Sequence, residues 1–413
     1  MLSVRTLSIA LVSSALLAGS NAASAQGLGS LRKKAEEAKK KVETAVDKKP
    51  SADSATPKSA PAASPASNTS DPAPSTAGAA SSNAAAKPSA KVWDNYDFVP
   101  GNRVIFYTDF SEDKVGNFAR SLKYVSGPIE VVERDGAKVL RATGRAQVLV
   151  PVGKRLPERF TLEIDVIAPQ SGVMNEALSF EGGAQMDRGD QSANVTWNPQ
   201  GAWIQGSKRD MSNSPVNVPE TMVPLLARNL AHVRVLMDGA YFKMYVNERR
   251  LYNIPELAFK RDSVLRILTA GSEEDGQEVY ITSIRVAESE TDVLYDALAA
   301  KGRWVTQGIL FATGKSELQP ESRPVLKEIA STLKEHGDLK ILIEGHTDNV
   351  GSSASNLALS DARAAAVKAA LVSDFGVSGD RVTTKGFGDT KPATPNATAV
   401  GRAQNRRVEL VRQ

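Results

Sequence analysis

A 40-residue segment without core-forming side chains divides this chain of 413 residues. Of residues 51–90, 30 are Ala, Ser or Pro and none is aromatic. Such a segment buries too little apolar surface to offset the conformational entropy lost on folding, so its composition predicts a linker. Globular structure is therefore expected mainly in the residues that follow it.

The first 25 residues have the pattern of a secretory signal. Arg5 gives a positive start, residues 7–18 are a short apolar run, and Ala23-Ser24-Ala25 fits a small-residue cleavage site. The run is shorter than the roughly 20 residues that a membrane-spanning helix needs. We therefore expect a signal peptide over residues 1–25 and no transmembrane helix in the mature chain, with a retained anchor as the alternative.

Residues 26–50 predict a charged helix. They hold eight basic and four acidic side chains, an excess equal to the formal net charge of +4 for the whole chain. The rest of the sequence is close to neutral, so nucleic acid is not an expected partner, because that binding needs clustered Lys and Arg. The helix is interpreted as solvated, and a weak coiled coil or a basic arm on anionic lipid stays open as an alternative.

The scarcity of reactive side chains limits the chemistry of the chain. It has no Cys, which excludes disulfides, thiol nucleophiles, Cys-based zinc sites and lipid attachment at Cys. Its three His, at positions 232, 336 and 346, are far apart in sequence. We expect no catalytic residue, no metal and no cofactor.

Residues 91–290 contain short runs of β-forming residues between turn residues, and no long helix pattern. In residues 160–166, Phe160, Leu162, Ile164 and Val166 alternate with polar residues, which predicts a strand with one apolar face and one solvent-facing face. Strands are expected over residues 104–107, 129–132, 139–142, 147–150, 160–168, 194–197, 232–237, 241–247, 264–269 and 279–286. The pattern favours an all-β antiparallel sandwich, jelly-roll-like in type.

The same region resembles the concanavalin A-like and laminin-G sandwich domains. The segments that carry the resemblance are Leu230-Ala231-His232-Val233-Arg234-Val235, Asp238-Gly239, Tyr245-Val246-Asn247, Asp109-Phe110-Ser111 and Ile284-Arg285-Val286. The resemblance implies a recognition or spacer domain, with a carbohydrate or an envelope protein as its possible partner. Trp197, Trp203 and Tyr241 would stack on sugar or, as we prefer, lie in the core, and Asp109 is a weak calcium candidate.

Two other functions for this region are disfavoured. Glu163-Ile164-Asp165 resembles the catalytic strand of family 16 glycoside hydrolases, but position 168, where the second glutamate would fall, is Ala168. Glu163 and Asp165 are interpreted instead as the solvent-facing side of the strand, and we expect no enzyme. An integral outer-membrane β-barrel with a periplasmic anchor is disfavoured by the short strands, the aromatic content of 6% and the polar loop 181–192.

From residue 305 the pattern alternates between strand and helix. Strands are expected over residues 309–311, 339–343, 381–385 and 408–411. One helix is expected to begin near Pro320 and end at Gly337, with an apolar face of Leu326, Ile329, Ala330 and Leu333. A second, Ala-rich helix is expected over residues 356–372, where Leu357, Leu359 and Val367 would pack against the sheet.

The loops of residues 305–413 carry an ordered set of motifs that closely resembles the OmpA-like peptidoglycan-binding domain. They are Glu344-Gly345-His346-Thr347-Asp348-Asn349-Val350-Gly351, Asn356 with Leu359-Ser360-Asp361-Ala362-Arg363-Ala364, Gly386-Phe387-Gly388, Asn396-Ala397-Thr398, Gly401-Arg402 and Asn405-Arg406-Arg407-Val408-Glu409. The resemblance implies an α/β domain of βαβαβ type that binds peptidoglycan.

Asp348 and Arg363 are the candidate ligand-binding pair. A carboxylate and a guanidinium held apart can bind a zwitterion, because the carboxylate accepts from an ammonium and the guanidinium donates to a carboxylate. The resemblance implies that this pair holds the amino-acid end of diaminopimelate in the stem peptide, and that Thr347 and Asn356 add hydrogen bonds. The alternative is a surface ion pair between Asp348 and Arg363.

The other polar residues of these motifs are given structural roles. His346 is interpreted as a structural hydrogen-bonding residue, and Asn405 as a support of the local fold. Arg402, Arg406 and Arg407 could contact ligand or be structural. The sequence as a whole predicts an exported, non-enzymatic cell-envelope protein, located in the periplasm or at the outer membrane, that binds peptidoglycan.

Overall fold

A computed structural model describes residues 96–169, 177–184, 191–207, 215–272, 274, 276–289 and 294–413. The predicted signal peptide, charged helix and linker lie outside these residues. The described part contains a β domain (residues 96–289) and a C-terminal domain (residues 294–413).

The β domain is built almost entirely of strands. In chain order they are β1 (Arg103–Thr108), β2 (Lys123–Ser126), β3 (Ile129–Arg134), β4 (Ala137–Ala142), β5 (Arg145–Pro151), β6 (Arg159–Ile167), β7 (Leu178–Gly182), β8 (Gln191–Asn198), β9 (Gly201–Ser207), β10 (Val216–Asn217), β11 (Leu230–Asp238), β12 (Tyr241–Val246), β13 (Arg249–Ile254), β14 (Val264–Ala270) and β15 (Val279–Glu288). A 3-10 turn (Glu220–Met222) and a short helix α1 (Val223–Leu226) precede β11.

These strands form two antiparallel sheets around one core. The first sheet has the order β13-β12-β11-β6-β15-β4-β3, with β1 also paired to β15, and the second has the order β10-β9-β8-β7-β14-β5-β2. Alternate residues of both sheets point into a shared core, as Ile164 of β6 and Ile267 of β14 do. The prediction of antiparallel β structure is thereby confirmed, whereas the resemblance to concanavalin A-like domains stays a prediction.

The outer face of β6 is not solvent-facing, so the prediction for Glu163 and Asp165 is wrong. The Glu163 side chain is 9% exposed and forms ion pairs with Arg285 and, at 3.9 Å, with Arg234. Asp165 is paired with Arg234 at 2.8 Å and with His232 at 2.8 Å. The carboxylates of β6 are thus paired with cationic side chains of the neighbouring strands β11 and β15. Because the charges are paired, this face of the sheet can be buried.

The C-terminal domain combines one four-stranded sheet with helices. Its elements in chain order are α2 (Leu294–Lys301), β16 (Arg303–Thr306), a 3-10 turn (Pro320–Ser322), α3 (Arg323–Glu335), β17 (Ile341–His346), α4 (Ser353–Ser373), a 3-10 turn (Gly379–Arg381), β18 (Val382–Gly388), α5 (Ala399–Asn405) and β19 (Val408–Arg412). The sheet order is β16-β19-β17-β18, and only the β17–β18 pair is parallel. Among the described helices, none is both long enough and apolar enough to cross a membrane.

Most predicted elements of this domain are confirmed, with two corrections. The first strand of the sheet is β16 and not residues 309–311. Phe311 forms only an isolated antiparallel bridge with Leu318, and Leu310 exchanges hydrogen bonds with the Ser322 hydroxyl. Val367 is buried and Leu359 is partly buried, but Leu357 is 45% exposed, so its predicted burial against the sheet is wrong.

The two domains share an interface along β1. Gln404 at the end of α5 accepts from the backbone N–H of Val104 at 2.8 Å and donates to the carbonyl of Asn102 at 2.8 Å. In the same region, Arg402 is paired with Glu112. The side-chain amide of Gln404 therefore satisfies backbone groups at the edge of a strand that has a sheet partner on one side only.

Candidate functional site

The candidate site lies where β17 ends. His346 is the last residue of β17, so Thr347 and Asp348 lie at the carboxyl end of a strand paired in parallel with β18. Helix α4 begins at Ser353, where the Ser352 hydroxyl accepts from the backbone N–H of Ser355. Asn356 and Arg363 lie two turns apart on this helix.

The structure pairs Asp348 with Arg406. One carboxylate oxygen accepts from Arg406 Nη1 at 2.7 Å, and the other accepts from the backbone N–H of Val350 at 3.1 Å. The Asp348 side chain is 13% exposed, so it faces a sheltered position that a ligand can still reach. The alternative of a direct Asp348–Arg363 surface pair is not what the structure shows.

Arg363 is held beside this carboxylate by other contacts. Its Nε donates to the carbonyl of Lys315 at 3.0 Å, and its guanidinium lies 4.9 Å from the ring centroid of Phe311. Burial and the nearby Arg406 guanidinium lower the pKa of Arg363, while Asp348 acts against this. Arg363 makes no direct contact with Asp348 in the described part of the chain, but Asp348 is close enough to act on its pKa.

Thr347 and Asn356 are both buried at the base of the site. The Thr347 backbone N–H donates to the carbonyl of Gly388, but its hydroxyl has no hydrogen-bond partner among the residues that the structure describes. Asn356 donates from Nδ2 to the backbone carbonyl of Asp348 at 3.1 Å, and so supports the loop that carries the carboxylate. All four predicted ligand-binding residues are thus brought together.

Arg406 is a site residue that the sequence interpretation left undecided. It follows α5 and contacts Asp348 on one side, while its guanidinium carbon lies 4.9 Å from the ring centroid of Tyr107 in β1. Desolvation acts to lower the pKa of Arg406, but Tyr107 and Asp348 outweigh it and leave that pKa raised. Burial raises the pKa of Tyr107 to about 12, so its hydroxyl is neutral at physiological pH.

The site combines positive and negative side chains. The Arg406 guanidinium contacts the Asp348 carboxylate and is also influenced by the Asp109 carboxylate. Repulsion between the guanidiniums of Arg363 and Arg406 contributes to the lowered pKa of Arg363. A ligand carboxylate between them would relieve this repulsion, and an ammonium beside it could use the free lone pairs of Asp348. The arrangement suits a zwitterionic group.

A second polar cluster, made of Glu344, His346 and Glu409, lies buried beneath the site. The three could ligate a metal, because His346 Nε2 is 3.8 Å from Glu344 and 3.7 Å from Glu409. However, Arg303 contacts both carboxylates and Arg407 donates to Glu409 at 2.6 Å, so cationic groups already occupy this position. The arginines disfavour a metal ion here.

His346 does not act as the hydrogen-bonding residue that the sequence predicts. Its side chain is fully buried, and neither ring nitrogen has a hydrogen-bond partner in the described residues. The ring instead stacks on Phe387, with centroids 5.5 Å apart and planes 11° from parallel. Burial lowers the pKa of His346 to about 4, and the positive charge of Arg407 adds to this lowering.

Asn405 has the structural role that the sequence predicts. It is fully buried beside the site, where its carbonyl oxygen accepts from the backbone N–H groups of Ala393 and Thr394. Its amide donates to the carbonyl of Thr394 and to Asn396. All four hydrogen-bonding positions of this side chain are used to hold the loop before α5.

The candidate residues of the β domain are dispersed. Trp197 is completely buried in the core, whereas Trp203 and Tyr241 are partly exposed. The Asp109 carboxylate is engaged by its neighbours, since it accepts from the Ser111 hydroxyl at 2.6 Å and from the Tyr107 hydroxyl at 3.3 Å. The preferred core role of Trp197 is therefore confirmed, whereas sugar stacking by Trp203 or Tyr241 and calcium binding by Asp109 stay predictions.

Comparison with known proteins places the C-terminal residues in a family. The profile of the OmpA family matches residues 310–406. Outer membrane porin F of Pseudomonas aeruginosa is 44% identical over 101 residues, which are 24% of this chain and 29% of the porin. The peptidoglycan-binding protein ArfA of Mycobacterium tuberculosis is 44% identical over 108 residues, which are 26% of this chain and 33% of ArfA.

A solved structure is also similar. The peptidoglycan-associated lipoprotein from Burkholderia pseudomallei is 37% identical, covers 25% of this chain and 88% of that chain, and has a TM-score of 0.24. The chain spans a third or less of the length of the two curated relatives, so the relationship concerns one domain. Residues 310–406 of this chain are an OmpA-like domain.

Proposed function

We propose that the chain binds peptidoglycan non-covalently through the OmpA-like domain, with the diaminopimelate of the stem peptide as the group recognised. The observation that carries the proposal is the grouping of Asp348 with Arg363 and Arg406 at the end of β17. An amino-acid end presents an ammonium and a carboxylate on one carbon, which matches this charge arrangement. The relative ArfA is named as a peptidoglycan-binding protein, which supports the same ligand class.

Thr347 and Asn356 have complementary roles in this proposal. The Thr347 hydroxyl is buried and has no hydrogen-bond partner among the described residues, and in this proposal it becomes accessible to the ligand on binding. Asn356 acts on the backbone of Asp348 and supports the loop that carries its carboxylate. Asp348 and Arg363 are held by their own contacts before the ligand binds, which reduces the entropy lost on binding.

In this proposal the protein is an exported, non-enzymatic anchor of the cell envelope, located in the periplasm or at the outer membrane. The β domain serves as a recognition or spacer domain. A glycosidase role for Glu163 is disfavoured because its carboxylate is buried, paired with Arg285 and close to Arg234, which leaves it covered by other side chains. The name of porin F, an outer membrane protein, supports the proposed location.

The proposal is tested by sedimentation of residues 26–413 with purified diaminopimelate-type peptidoglycan. We expect the wild-type protein to pellet with the polymer, and Asp348→Ala and Arg363→Ala to stay in the supernatant. Matched controls are Asp338→Ala and Lys340→Ala. They remove exposed charges just before the first residue of β17, whereas the site follows its last residue. Both controls should pellet like the wild type.

Two results would contradict the proposal. Wild-type protein that stays in the supernatant would remove peptidoglycan as the ligand. Undiminished pelleting of both site variants would move the binding to the β domain or to the basic residues 26–50.

A further inference from the structure

We propose that Tyr107 of the β domain is a positioning residue of the ligand site in the OmpA-like domain. It would hold the Arg406 guanidinium in the orientation that binds the carboxylate of the ligand. The inference rests on the proposed function and adds to it a contribution from outside the OmpA-like domain. The β domain is then a part of the binding site and not only a spacer.

The contacts of Arg406 carry this inference. Its guanidinium lies between the Tyr107 ring, 4.9 Å away at the centroid, and the Asp348 carboxylate, 2.7 Å from Nη1. The Arg406 side chain is 34% exposed, so these contacts do not enclose it completely. Because the Tyr107 ring already restricts the rotamers of Arg406, this long side chain loses less entropy when a ligand binds.

The position of Tyr107 relative to Arg406 is itself fixed. Arg406 directly follows α5, and α5 lies against β1, the strand that carries Tyr107. Gln404 binds the backbone of β1 at Val104 and Asn102, and Arg402 is paired with Glu112. Helix α5 is therefore fixed in position relative to β1. This fixed position brings the Tyr107 ring against the Arg406 guanidinium.

The Tyr107 hydroxyl has a separate function. It donates to Asp109 at 3.3 Å, whose carboxylate also accepts from the backbone N–H and the hydroxyl of Ser111. The contact with Arg406 is made by the ring face. A phenylalanine at position 107 would keep the ring face and lose only the hydroxyl bond, which allows the two contributions to be separated.

The experiment measures the affinity of the full chain from residue 26 for a soluble stem tripeptide, L-Ala-D-Glu-meso-diaminopimelate, by titration calorimetry. The variants are Tyr107→Phe, Tyr107→Leu and Asp348→Ala, with the fold of each checked by circular dichroism. We expect Tyr107→Phe to bind like the wild type and Tyr107→Leu to bind about five- to tenfold more weakly, because leucine fills space without a π face. Asp348→Ala should not bind.

The outcomes separate this inference from the proposed function. Equal affinity of Tyr107→Leu and wild type, with loss of binding in Asp348→Ala, would overturn the role of Tyr107 and leave the proposed function intact. Equal weakening in Tyr107→Phe and Tyr107→Leu would also overturn it, since the hydroxyl and not the ring would then matter. Absence of tripeptide binding by the wild type would contradict the proposed function and the inference together.

Discussion

At the scale of single residues, buried polar side chains decide how the ligand site is built. Asp348 and Arg363 were predictable because the motif and its spacing are local in sequence. The contact of Arg406 with Tyr107 was not, because these residues belong to different domains and no local pattern links them. The buried states of Glu163 and His346 were unpredictable for the same reason, since distant segments cover them.

Because of His346, we expect the folding stability of the OmpA-like domain to fall at acid pH. Its pKa is lowered to about 4 by burial, whereas its ordinary value is about 6.5. As pH falls through this window the unfolded chain takes up the proton first, so stability is lost, by on the order of 3 kcal/mol at most. Glu344 and Glu409 face the ring, Glu409 opposes this shift, and Arg407, Lys391 and Arg303 favour it.

The measurement is urea unfolding of wild type and His346→Gln at pH 7, 5.5 and 4. We expect the wild type to lose more stability than the variant between pH 7 and pH 4. An equal loss in the two proteins would show that His346 is not its cause.

Asn405 is expected to be a strong determinant of stability. Asn405→Ala would leave the backbone N–H groups of Ala393 and Thr394 without their acceptor, at a cost of about 2–4 kcal/mol. Denaturant unfolding measures this cost. The control is Asn349→Ala, since Asn349 is exposed in the site loop, and a similar loss in both variants would contradict the expectation.

At the scale of elements, sequence periodicity was reliable where the apolar face is strong. Leu326, Ile329 and Leu333 of α3 are all buried, as their spacing predicts. Helix α4 is Ala-rich, so its faces differ little in hydrophobicity, and the exposed position of Leu357 could not be deduced. Residues 309–311 are apolar, but they pair only with the nearby residues Leu318, Gln319 and Ser322 and do not join the sheet.

The packing of α4 on the sheet requires a glycine at position 386. A Cβ there would lie 2.5 Å from the Ser360 hydroxyl and close to the backbone N–H of Asp361, so the helix would have to move. We expect Gly386→Ala to destabilise the domain by about 1–3 kcal/mol through overpacking. Thermal unfolding would show it, and Gly337→Ala, where the space is open, should be nearly neutral. Equal melting temperatures of the two variants would contradict this.

At the scale of the whole molecule, Arg285 joins the two domains. It is paired with Glu163, donates to the carbonyl of Gly101 at 2.6 Å and donates to Gln307 of the C-terminal domain. Arg285→Met would leave Glu163 buried with only the more distant Arg234, which costs about 3–5 kcal/mol when a buried pair is broken. Scanning calorimetry is expected to show a lower transition temperature and a separation of the two domains' transitions.

The control for this variant is Arg412→Met, which changes an exposed arginine of β19. An equal shift in both variants would contradict the role of Arg285. The sequence predicted both domains but not their joint surface, because the strand and helix that form it are far apart along the chain.

The amide of Gln404 at the edge of β1 has a consequence for how this protein can be dissected. A β domain produced without the C-terminal domain would expose the backbone groups of Asn102 and Val104 beside the apolar strand Arg103–Thr108. Such an edge is a template for intermolecular strand pairing. The C-terminal domain therefore acts as a solubilising partner of the β domain, and the isolated β domain should self-associate in light scattering where the full chain stays monodisperse.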